Sequence, residues 1–424
     1  MSMYKKQQNL LFFIFRLYGG GAERTVSNLS QAFGDKYNVK IAVYDQEERT
    51  YPYAGELIRI RLPFSKNVSK NSWLARGLRL IVLVFKLRNL KRKHAIDVCI
   101  SFSEQANIIN LLTKRKKTII SVRTTLSEEI RSMPRMKVLY AFVRFLYNWA
   151  DHIVVPSKAV LHDLMHNFKV NDKNIATIYN YMDIEKVNFL AGQPMTDLFL
   201  QSLFKQSVLL NVGRIAPQKG FWLLFHVFKR LKEKYPELKL VSIGEGDSMP
   251  EFKAVLIDYG KKLGLRIFDK SSCDYMDKIG DDVYFIGFEA NPFQFMRNSH
   301  IFLFPSVFEG FPNALLEAMQ AGLPVISADC PSGPREILAP DTSIMDKAVH
   351  AEMATYGVLA PVLPTADIEK DIEAALIKEW VYAVECFLED GQLIQRYAAA
   401  SRKRAKDFDK GIILEQWESL IVRS

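Results

Sequence analysis

Residues 304–319 read FPSVFEGFPNALLEAM, and no other stretch of the chain carries as much structural information. The apolar residues Ile301 to Phe304 lead into it as a strand, Gly310-Phe311-Pro312 forms a turn, and the residues that follow read as a helix. Glu309 stands on the turn and Glu317 stands inside the helix. A strand, a tight turn and a helix N-terminus in this order predict an anion-binding site. Both carboxylates could reach one elongated, hydroxyl-rich ligand there.

The chain has 424 residues, which is too long for one ordinary core and predicts two domains of about 200 residues each. Short apolar strands alternate with helical stretches in two series, which favours an α/β protein with two doubly wound parallel sheets. The predicted strands are Leu10–Arg16, Val39–Tyr44, Val98–Phe102, Thr118–Arg123 and His152–Pro156 in the first series, and Val208–Gly213, Lys239–Gly244, Val283–Gly287, His300–Pro305 and Pro324–Ala328 in the second.

We place the domain boundary near Met195, because the second series of strands begins after it. The prediction is a first domain of residues 1–194 and a second domain of residues 195–400. Residues 401–424 have a helical pattern and could fold back over the first domain.

Metal and disulfide chemistry are not expected. The four cysteines lie far apart and form no CxxC pair, which suits a reducing compartment. His162 and His166 stand at i, i+4, but no third ligand accompanies them. The acidic triplet Asp407-Phe408-Asp409 lies in the terminal helical region rather than at a strand end, so a surface or capping role is expected.

The N-terminus is predicted to be a buried first strand rather than a signal peptide. Lys5 and Lys6 precede the apolar run, but Arg16 ends that run and no small-residue cleavage site follows. No run approaches the roughly 20 apolar residues that span a bilayer. We therefore expect a cytoplasmic protein.

The formal net charge of +10 is concentrated in a few segments. Basic residues recur at Arg76, Arg79, Lys86, Arg88, Lys91, Arg92 and Lys93, at Lys114 to Lys117, and around Arg131, Arg135 and Lys137. Apolar residues are interleaved in the first segment, as in helices that lie on an anionic membrane surface. A core helix with a solvated basic end fits the pattern equally well, and both interpretations stay open. No recognition motif supports binding to nucleic acid.

Two further loops leave predicted strands with residues suited to phosphate. The first strand runs into Gly19-Gly20-Gly21, and such a turn lets a ligand approach the backbone closely. In the second half, Arg214 and Lys219 follow a strand that ends at Gly213, and two cations there suit a pyrophosphate. Gly244-Glu245-Gly246 adds another tight turn after the next strand.

These motifs together resemble the retaining glycosyltransferases of family 4, which have the GT-B fold. The resemblance covers nearly the whole chain and rests on GGGAER at 19–24, NVGRIAPQKG at 211–220, IGEG at 243–246 and FPSVFEGFPNALLEAMQAGLPVISAD at 304–329. It implies two Rossmann-like domains that face each other across a cleft, with a C-terminal helix that crosses back to the first domain. It also implies that no metal or other cofactor is needed.

The resemblance also implies site roles, position by position. Glu317 matches the carboxylate that holds the nucleotide ribose, and Glu309 matches the one that contacts the donor sugar. Arg214 and Lys219 match the cations on the diphosphate. The other donor-binding positions implied are Gly310, Phe311, Pro312, Asn313, Ala314, Gly213, Gly244 and Phe288. Gly20 and Gly21 would let the diphosphate and the acceptor approach.

One position departs from the common family pattern. Many relatives carry a histidine after an early strand, whereas this chain has Arg123 there, as in a subset that extends lipid-linked glycans. Residues 330–337, CPSGPREI, also resemble that subset. The resemblance thus implies a transferase, peripheral on the inner face of the cell membrane, that uses a nucleotide sugar and a glycan or lipid-linked acceptor. A soluble acceptor, or a silent nucleotide-sugar-binding partner subunit, are the alternatives.

Overall fold

The computed structural model describes residues 7–18, 20–44, 50–62, 73–132, 142–246, 250–271, 280–363 and 373–422. Gly19, Arg135 and Lys137 lie outside the described residues, and the side chains of Arg76 and Arg131 are not described. The chain forms two compact units, Met1–Asn180 with Ile413–Ser424, and Tyr181–Ile412. Among the described residues, no helix combines the length and the apolar character that crossing a bilayer requires.

The first unit is built on a seven-stranded parallel sheet. Its strands are β1 Asn9–Ile14, β2 Asn38–Val43, β3 Glu56–Arg59, β4 Val98–Phe102, β5 Lys117–Ser121, β6 His152–Val155 and β7 Ile175–Thr177. They lie in the order β3-β2-β1-β4-β5-β6-β7, and every pairing is parallel. The order reverses between β1 and β4, which is the point where open α/β sheets bind ligands.

Helices connect these strands. They are α1 Gly21–Phe33, α2 Trp73–Lys93, α3 Glu104–Leu112, α4 Leu126–Ser132, α5 Val143–Leu146 and α6 Lys158–His166, with 3-10 turns at Tyr147–Trp149 and Asp172–Asn174. The inner strands are almost completely buried, as strands covered by helices on both faces must be.

The second unit has an eight-stranded sheet. Its strands are β8 Val208–Val212, β9 Lys239–Ile243, β10 Ile267–Asp269, β11 Val283–Gly287, β12 Ile301–Phe304, β13 Val325–Ala328, β14 Glu352–Met353 and β15 Val358–Ala360. Their order is β10-β11-β9-β8-β12-β13-β15-β14, and the edge strand β14 is antiparallel to β15. The sequence therefore predicted the two doubly wound sheets correctly.

The remaining helices begin after residue 180. They are α7 Ile184–Ala191, α8 Leu198–Leu203, α9 Phe221–Lys232, α10 Pro250–Lys262, α11 Phe293–Arg297, α12 Asn313–Ala321, α13 Pro334–Leu338, α14 Ala374–Glu389, α15 Gly391–Ala405 and α16 Lys410–Val422. The end of α16 belongs to the first unit, where the buried Trp417 lies 6.2 Å from Phe102, ring centre to ring centre. Lys36 and Glu418 form an ion pair there at 2.7 Å.

All ten predicted strands are present; two have the predicted ends, and the others are shifted by one or two residues at one or both ends. The sequence prediction missed β3, β7, β10, β14 and β15. Four of these have only two or three residues, which is too few to show a pattern. The strand β3 has four residues, of which the first and the last are charged, so no apolar run marks it.

A buried carboxyl group lies just after the carboxyl end of β4. Glu104 opens α3 at the carboxyl end of that strand and is 8% exposed. Its Oε2 accepts a hydrogen bond from the Tyr147 hydroxyl. Burial raises the pKa of Glu104 from 4.5 to about 8, and this outweighs the hydrogen bond, which favours the charged form.

This carboxyl group should make stability depend on pH. The folded protein binds more protons at Glu104 than the unfolded chain, so stability falls as the pH rises from 4.5 through about 8. Between about pH 6 and pH 8 we expect the wild type to lose about 2 kcal/mol more unfolding free energy than Glu104→Gln, measured by urea titration. Parallel pH profiles of the two proteins would refute the assignment.

Candidate functional site

The strands β8 and β12 lie side by side and in parallel in the middle of the second sheet. Leu209 pairs with Ile301, and Leu210 pairs with Phe302. The buried Asn211 adds a link beyond the ladder, because its Nδ2 donates to the carbonyl of Leu303 at 2.9 Å. The loops that leave these two strands therefore start next to each other, at the edge where open α/β sheets bind ligands.

These two loops touch backbone to backbone. Gly220 has a φ of +67°, and a Cβ there would lie 2.0 Å from the carbonyl oxygen of Pro305. The Val307 N–H donates to the Gln218 carbonyl at 2.8 Å. Glycine is required at position 220 both by the left-handed conformation and by this close approach.

Two of the predicted catalytic residues meet on these loops. Lys219 Nζ donates to Glu309 Oε1 at 2.6 Å, and their side chains are 15% and 12% exposed. Lys219 Nζ also lies 5.3 Å from the centre of the Phe304 ring, within the range of a cation–π contact. Because water is largely excluded from this pair, its charges interact more strongly than those of a surface ion pair.

Three glycine turns stack along the same edge, after β8, β9 and β11. The Gly213 N–H donates to the Ile243 carbonyl at 2.9 Å, and the Gly244 N–H donates to the Gly287 carbonyl at 2.8 Å. Gly244 has a φ of +138°, and a Cβ there would lie 2.0 Å from the Gly213 carbonyl oxygen. A side chain at position 244 would therefore separate turns that the fold holds together.

Two predicted donor contacts stand exposed beside these turns. Arg214 follows Gly213, and it has no hydrogen bond or ion pair with any described residue. Phe288 follows Gly287, and its side chain is 72% exposed. The Phe288 N–H donates to Glu245 Oε1 at 3.3 Å, so the second turn positions the residue that carries this ring.

The helix α12 carries Glu317 as predicted, and the side chain is buried. Pro312 is the N-cap, and Asn313 and Ala314 form the start of the first turn. Phe311 is buried with its ring centre 5.8 Å from that of Phe408. The Phe311 side chain therefore anchors the loop, and a ligand contact at this position would come from the backbone.

The loop after β13 contacts Glu309 and Pro312. The Ser332 hydroxyl donates to the Glu309 carbonyl, and Ser332 has a φ of +78°. Gly333 has a φ of +100°, and a Cβ there would lie 2.2 Å from Pro312 Cδ. The positive φ of Ser332 indicates strain that the surroundings must hold, whereas glycine adopts such a φ freely.

An ion network in which Asp329 and Arg335 are buried holds that loop. The Arg335 guanidinium donates to Asp329 Oδ1 at 3.2 Å through Nε and to Glu352 Oε2 at 2.8 Å. Burial raises the pKa of the Cys330 thiol in the same loop well above its usual value, and the charge of Glu309 raises it further. The sequence singled out residues 330–337 only by resemblance, and did not reveal that they support the Glu309 loop.

Arg123 lies in the first unit, after β5, as the sequence predicted. Its guanidinium donates to Thr25 Oγ1 at 3.2 Å and to Asn180 Oδ1. Burial lowers the pKa of Arg123 to about 10, so it remains a cation at neutral pH. Its partners stand 98 and 57 positions away in the chain, and no sequence signal points to them.

The glycine turn before α1 is occupied by the protein's own carboxylate. A Cβ at Gly20 would lie 2.4 Å from Glu23 Oε2, whereas a Cβ at Gly21 would meet no atom within 4 Å. Glu23 Oε1 is also 3.7 Å from Arg16 Nε. The contact at position 20 is with the end of a flexible side chain, so it does not by itself require glycine, and an acceptor-binding role of Gly20 and Gly21 stays a prediction.

The acidic triplet has the structural role that the sequence predicted. Asp407 Oδ2 pairs with Arg404 at 2.7 Å, and Asp409 Oδ1 accepts from the Gly411 N–H at 2.8 Å near the start of α16. His162 and His166 stack with ring centres 3.8 Å apart. In the described part of the chain no three histidine, cysteine, aspartate or glutamate side chains are grouped for a metal ion.

Comparison with family models assigns both halves of the chain. Residues 19–186 match the model of Glycosyltransferase Family 4, and residues 206–355 match the model of Glycosyl transferases group 1. The chain is 31% identical to an uncharacterized glycosyltransferase of Methanocaldococcus jannaschii over 87% of this chain and 89% of that protein.

A second relative and one solved structure cover nearly the whole chain. The N-acetylgalactosamine-N,N'-diacetylbacillosaminyl-diphospho-undecaprenol 4-alpha-N-acetylgalactosaminyltransferase of Campylobacter jejuni is 29% identical over 95% of this chain and 96% of its own length. The crystal structure of Anabaena HepE in complex with UDP-glucose superposes with a TM-score of 0.72 at 18% identity, covering 98% of this chain and 99% of HepE. At that identity the superposition establishes the fold.

The close approach at Gly220 gives a stability prediction. Gly220→Ala should lower the unfolding free energy by more than about 2 kcal/mol, because its Cβ meets a backbone oxygen in a left-handed conformation. Gly264→Ala is the matched control, since Gly264 has a φ of +86° with no atom within 4 Å, and should cost only about 1 kcal/mol. Urea titration of both variants measures the difference, and equal losses would contradict the contact.

Proposed function

This chain belongs to the glycosyltransferases and has the GT-B fold, and from that premise we propose that it is a retaining family 4 enzyme. It transfers a hexose or an N-acetylhexosamine from a nucleotide sugar, in our proposal a UDP-sugar, to a lipid-linked or lipopolysaccharide glycan. The observation that carries the proposal is the shielded pair of Lys219 and Glu309 between the carboxyl ends of β8 and β12. The Lys219 ammonium, which would bind phosphate, and the Glu309 carboxylate, which would bind sugar hydroxyls, are joined there by a hydrogen bond.

The donor would be held by groups along this edge of the second sheet. Arg214 and Lys219 supply positive charge for the diphosphate. The guanidinium of Arg214 offers a planar fork of donors, and the ammonium of Lys219 acts as a point charge. The start of α12 adds the positive end of the helix. Glu317 would accept from the ribose hydroxyls, and the exposed Phe288 would lie beside the base.

The same cations would assist departure of the nucleoside diphosphate. The bond between the anomeric carbon and the phosphate oxygen breaks, and the acceptor oxygen bonds to that carbon on the same face. Attack on the same face retains the anomeric configuration, and the acceptor proton passes to the leaving phosphate oxygen. Negative charge grows on the phosphate during this step, and cations placed beforehand stabilise that growth more than they stabilise the bound donor.

Glu309 would address the sugar rather than act as half of an acid–base pair. Its carbonyl is fixed by Ser332 and its carboxylate by Lys219, so the side chain is held in place before a donor arrives. A diphosphate that engages Lys219 competes with this carboxylate for the ammonium and frees Glu309 for the sugar hydroxyls.

The acceptor class is inferred from relatives and from Arg123. The name of the Campylobacter relative specifies a diphospho-undecaprenol glycan, and lipopolysaccharide 1,6-galactosyltransferase of Salmonella typhimurium is 29% identical over half of this chain. An arginine after β5, kept cationic at neutral pH, suits an acceptor that carries a diphosphate. The enzyme would then work peripherally at the inner face of the cell membrane, with α2 against anionic lipid.

Replacing Glu309 tests its role in transfer. Glu309→Gln keeps the shape and one acceptor oxygen but removes the charge, and should reduce transfer by about 100-fold or more while UDP still binds. Glu389→Gln is the matched control. Glu389 also forms an ion pair with a lysine, Lys234, at a distance of 2.5 Å, but this pair lies outside the site. The readouts are sugar transfer from a UDP-sugar and UDP affinity by calorimetry. Unchanged turnover in Glu309→Gln would refute the assigned role.

Replacing Lys219 tests the diphosphate contact. Lys219→Met should weaken UDP binding by about 1.5–3 kcal/mol and leave the affinity for uridine nearly unchanged, because only UDP carries phosphate. The double variant Lys219→Met/Glu309→Gln removes the carboxylate that the single change leaves unpaired. Equal losses for UDP and uridine in both variants would mean that Lys219 acts on the fold.

Thermal shifts with UDP- and GDP-sugars side by side identify the base.

A further inference from the structure

The guanidinium of Arg404 caps a helix from another part of the second unit. Arg404 is the next-to-last residue of α15, and its side chain is 14% exposed. Its Nη2 donates to the Glu336 carbonyl at 2.7 Å, and its Nε donates to the Ile337 carbonyl at 3.0 Å. Both carbonyls lie in the last turn of α13, where a helix leaves its carbonyls without backbone partners. Pro340 stands four positions after Glu336 and has no N–H to offer, so the arginine supplies the missing donors.

The other end of α13 lies against the Glu309 loop. The Ile337 N–H donates to the Gly333 carbonyl at 3.0 Å, so the capped end of the helix and Gly333 belong to one hydrogen-bonded turn. A Cβ at Gly333 would lie 2.2 Å from Pro312 Cδ, and the neighbouring Ser332 hydroxyl donates to the Glu309 carbonyl. A displacement of the capped helix end would therefore reach Glu309 and Pro312 through one turn of helix.

Arg404 reaches the same loop by a second route, through aromatic rings. Its Cζ lies 4.9 Å from the centre of the buried Phe408 ring and 5.6 Å from the centre of the Tyr356 ring, and both distances are within the range of a cation–π contact. Phe408 in turn packs on Phe311 of the Glu309 loop, with 5.8 Å between ring centres. A guanidinium can bond through its edge and stack through its face at the same time, whereas an ammonium cannot.

The position of Phe408 is itself fixed. Its carbonyl accepts from the Met182 N–H at 2.7 Å, and the Met182 carbonyl accepts from the Lys410 N–H at 2.9 Å. Asp407 Oδ2 accepts from Arg404 Nη1 at 2.7 Å, which holds the guanidinium beside the ring. The ring thus has a set position against which the loop can pack.

We propose that Arg404 is a positioning residue for the loop of residues 309–312. Its hydrogen bonds and ring contacts go to the supports of that loop rather than to the loop itself, by one route to Glu309 and Pro312 and by another to Phe311. Its effect on transfer rests on the proposed function, in which Glu309 addresses the sugar. A misplacement of about 1 Å at such a group can cost about 100-fold in rate, so two rigid supports for one loop suit a transferase.

A second capping arginine on the same helix provides a comparison. Arg402 also belongs to α15, and its Nη2 donates to the Ala321 carbonyl at 3.2 Å, at the C-terminal end of α12. The Glu309 loop precedes the opposite end of α12, about 12 Å away along the helix axis. Arg402 and Arg404 thus share the residue type, the helix and the kind of bond, but they cap different helices at different distances from the loop.

Hydrogen exchange followed by mass spectrometry tests the two routes. Arg404→Lys keeps the charge but loses the planar fork and the stacking face, and Phe408→Leu removes the ring between Arg404 and Phe311. Both changes should speed exchange of the amides of residues 306–313 by about tenfold or more, because the loop opens locally more often. Arg402→Lys is the matched control and should leave these amides at the wild-type rate.

Either of two exchange patterns would overturn the proposal. The first is a wild-type rate for residues 306–313 in both Arg404→Lys and Phe408→Leu. The second is faster exchange by the same factor throughout the second unit, which would mean that the two residues only stabilise the fold. Phe408→Leu decides the question if Arg404→Lys does not fold.

Sugar transfer tests the consequence for the site. Calorimetric titration with UDP counts the folded binding sites. Transfer per site from a UDP-sugar should fall about tenfold or more in Arg404→Lys, with the UDP affinity within about twofold of the wild type, because the displaced carboxylate addresses the sugar and UDP carries none. The loss should shrink in a Glu309→Gln background, because Arg404 acts through that carboxylate.

Equal fold losses of transfer in both backgrounds would overturn the role of Arg404 in the reaction. Exchange needs no transfer, so an inactive wild type would refute the proposed function while the exchange rates still decide whether Arg404 positions the loop.

Discussion

The candidate site depends on the close backbone contact between the loops that leave β8 and β12. Parallel pairing sets the two strand ends side by side, and Gly220 lets one loop reach the carbonyl of Pro305. Only with that contact do Lys219 and Glu309, 90 positions apart, come within 2.6 Å. A wider separation would leave two exposed charges that water screens, and an exposed pair contributes little.

Rigidity around this contact comes from residues that would never touch a donor. Ser332 adopts a left-handed conformation that only a well-supported loop can hold, and the Asp329–Arg335–Glu352 ion network holds that loop. Asp329 and Arg335 are buried, whereas Glu352 is partly exposed. A buried guanidinium is costly unless its hydrogen bonds are satisfied, and here it is bonded on both sides. This loop thus holds Glu309 and Pro312 at fixed positions, as a site that must act on one bond requires.

The first unit combines two different demands on one sheet. At the carboxyl ends of its strands lie the partly buried Arg123 and the buried Glu104, and burial shifts the pKa of each in the direction that favours its neutral form. Its helical layer carries apolar and basic side chains that the fold leaves outside. Sites of the first kind need exclusion of water, and surfaces of the second kind need access to a partner, so they occupy different elements.

The amino-acid sequence by itself determined the two parallel sheets, ten of the strands and the residue types of the site. Strand and helix periods are local, and the spacing of Glu309 and Glu317 within one strand–turn–helix unit is local as well. Tertiary structure decided which groups are partners: Glu309 with Lys219, Arg123 with Thr25 and Asn180, and Glu23 in the space above Gly20. It also decided which apolar residues of α2 are covered, a point that the sequence left open: Leu83, Leu87 and Leu90 are buried, and Leu78, Ile81 and Phe85 are exposed. The period of a helix shows that it has an apolar face, whereas the neighbours that pack against it determine whether that face is covered.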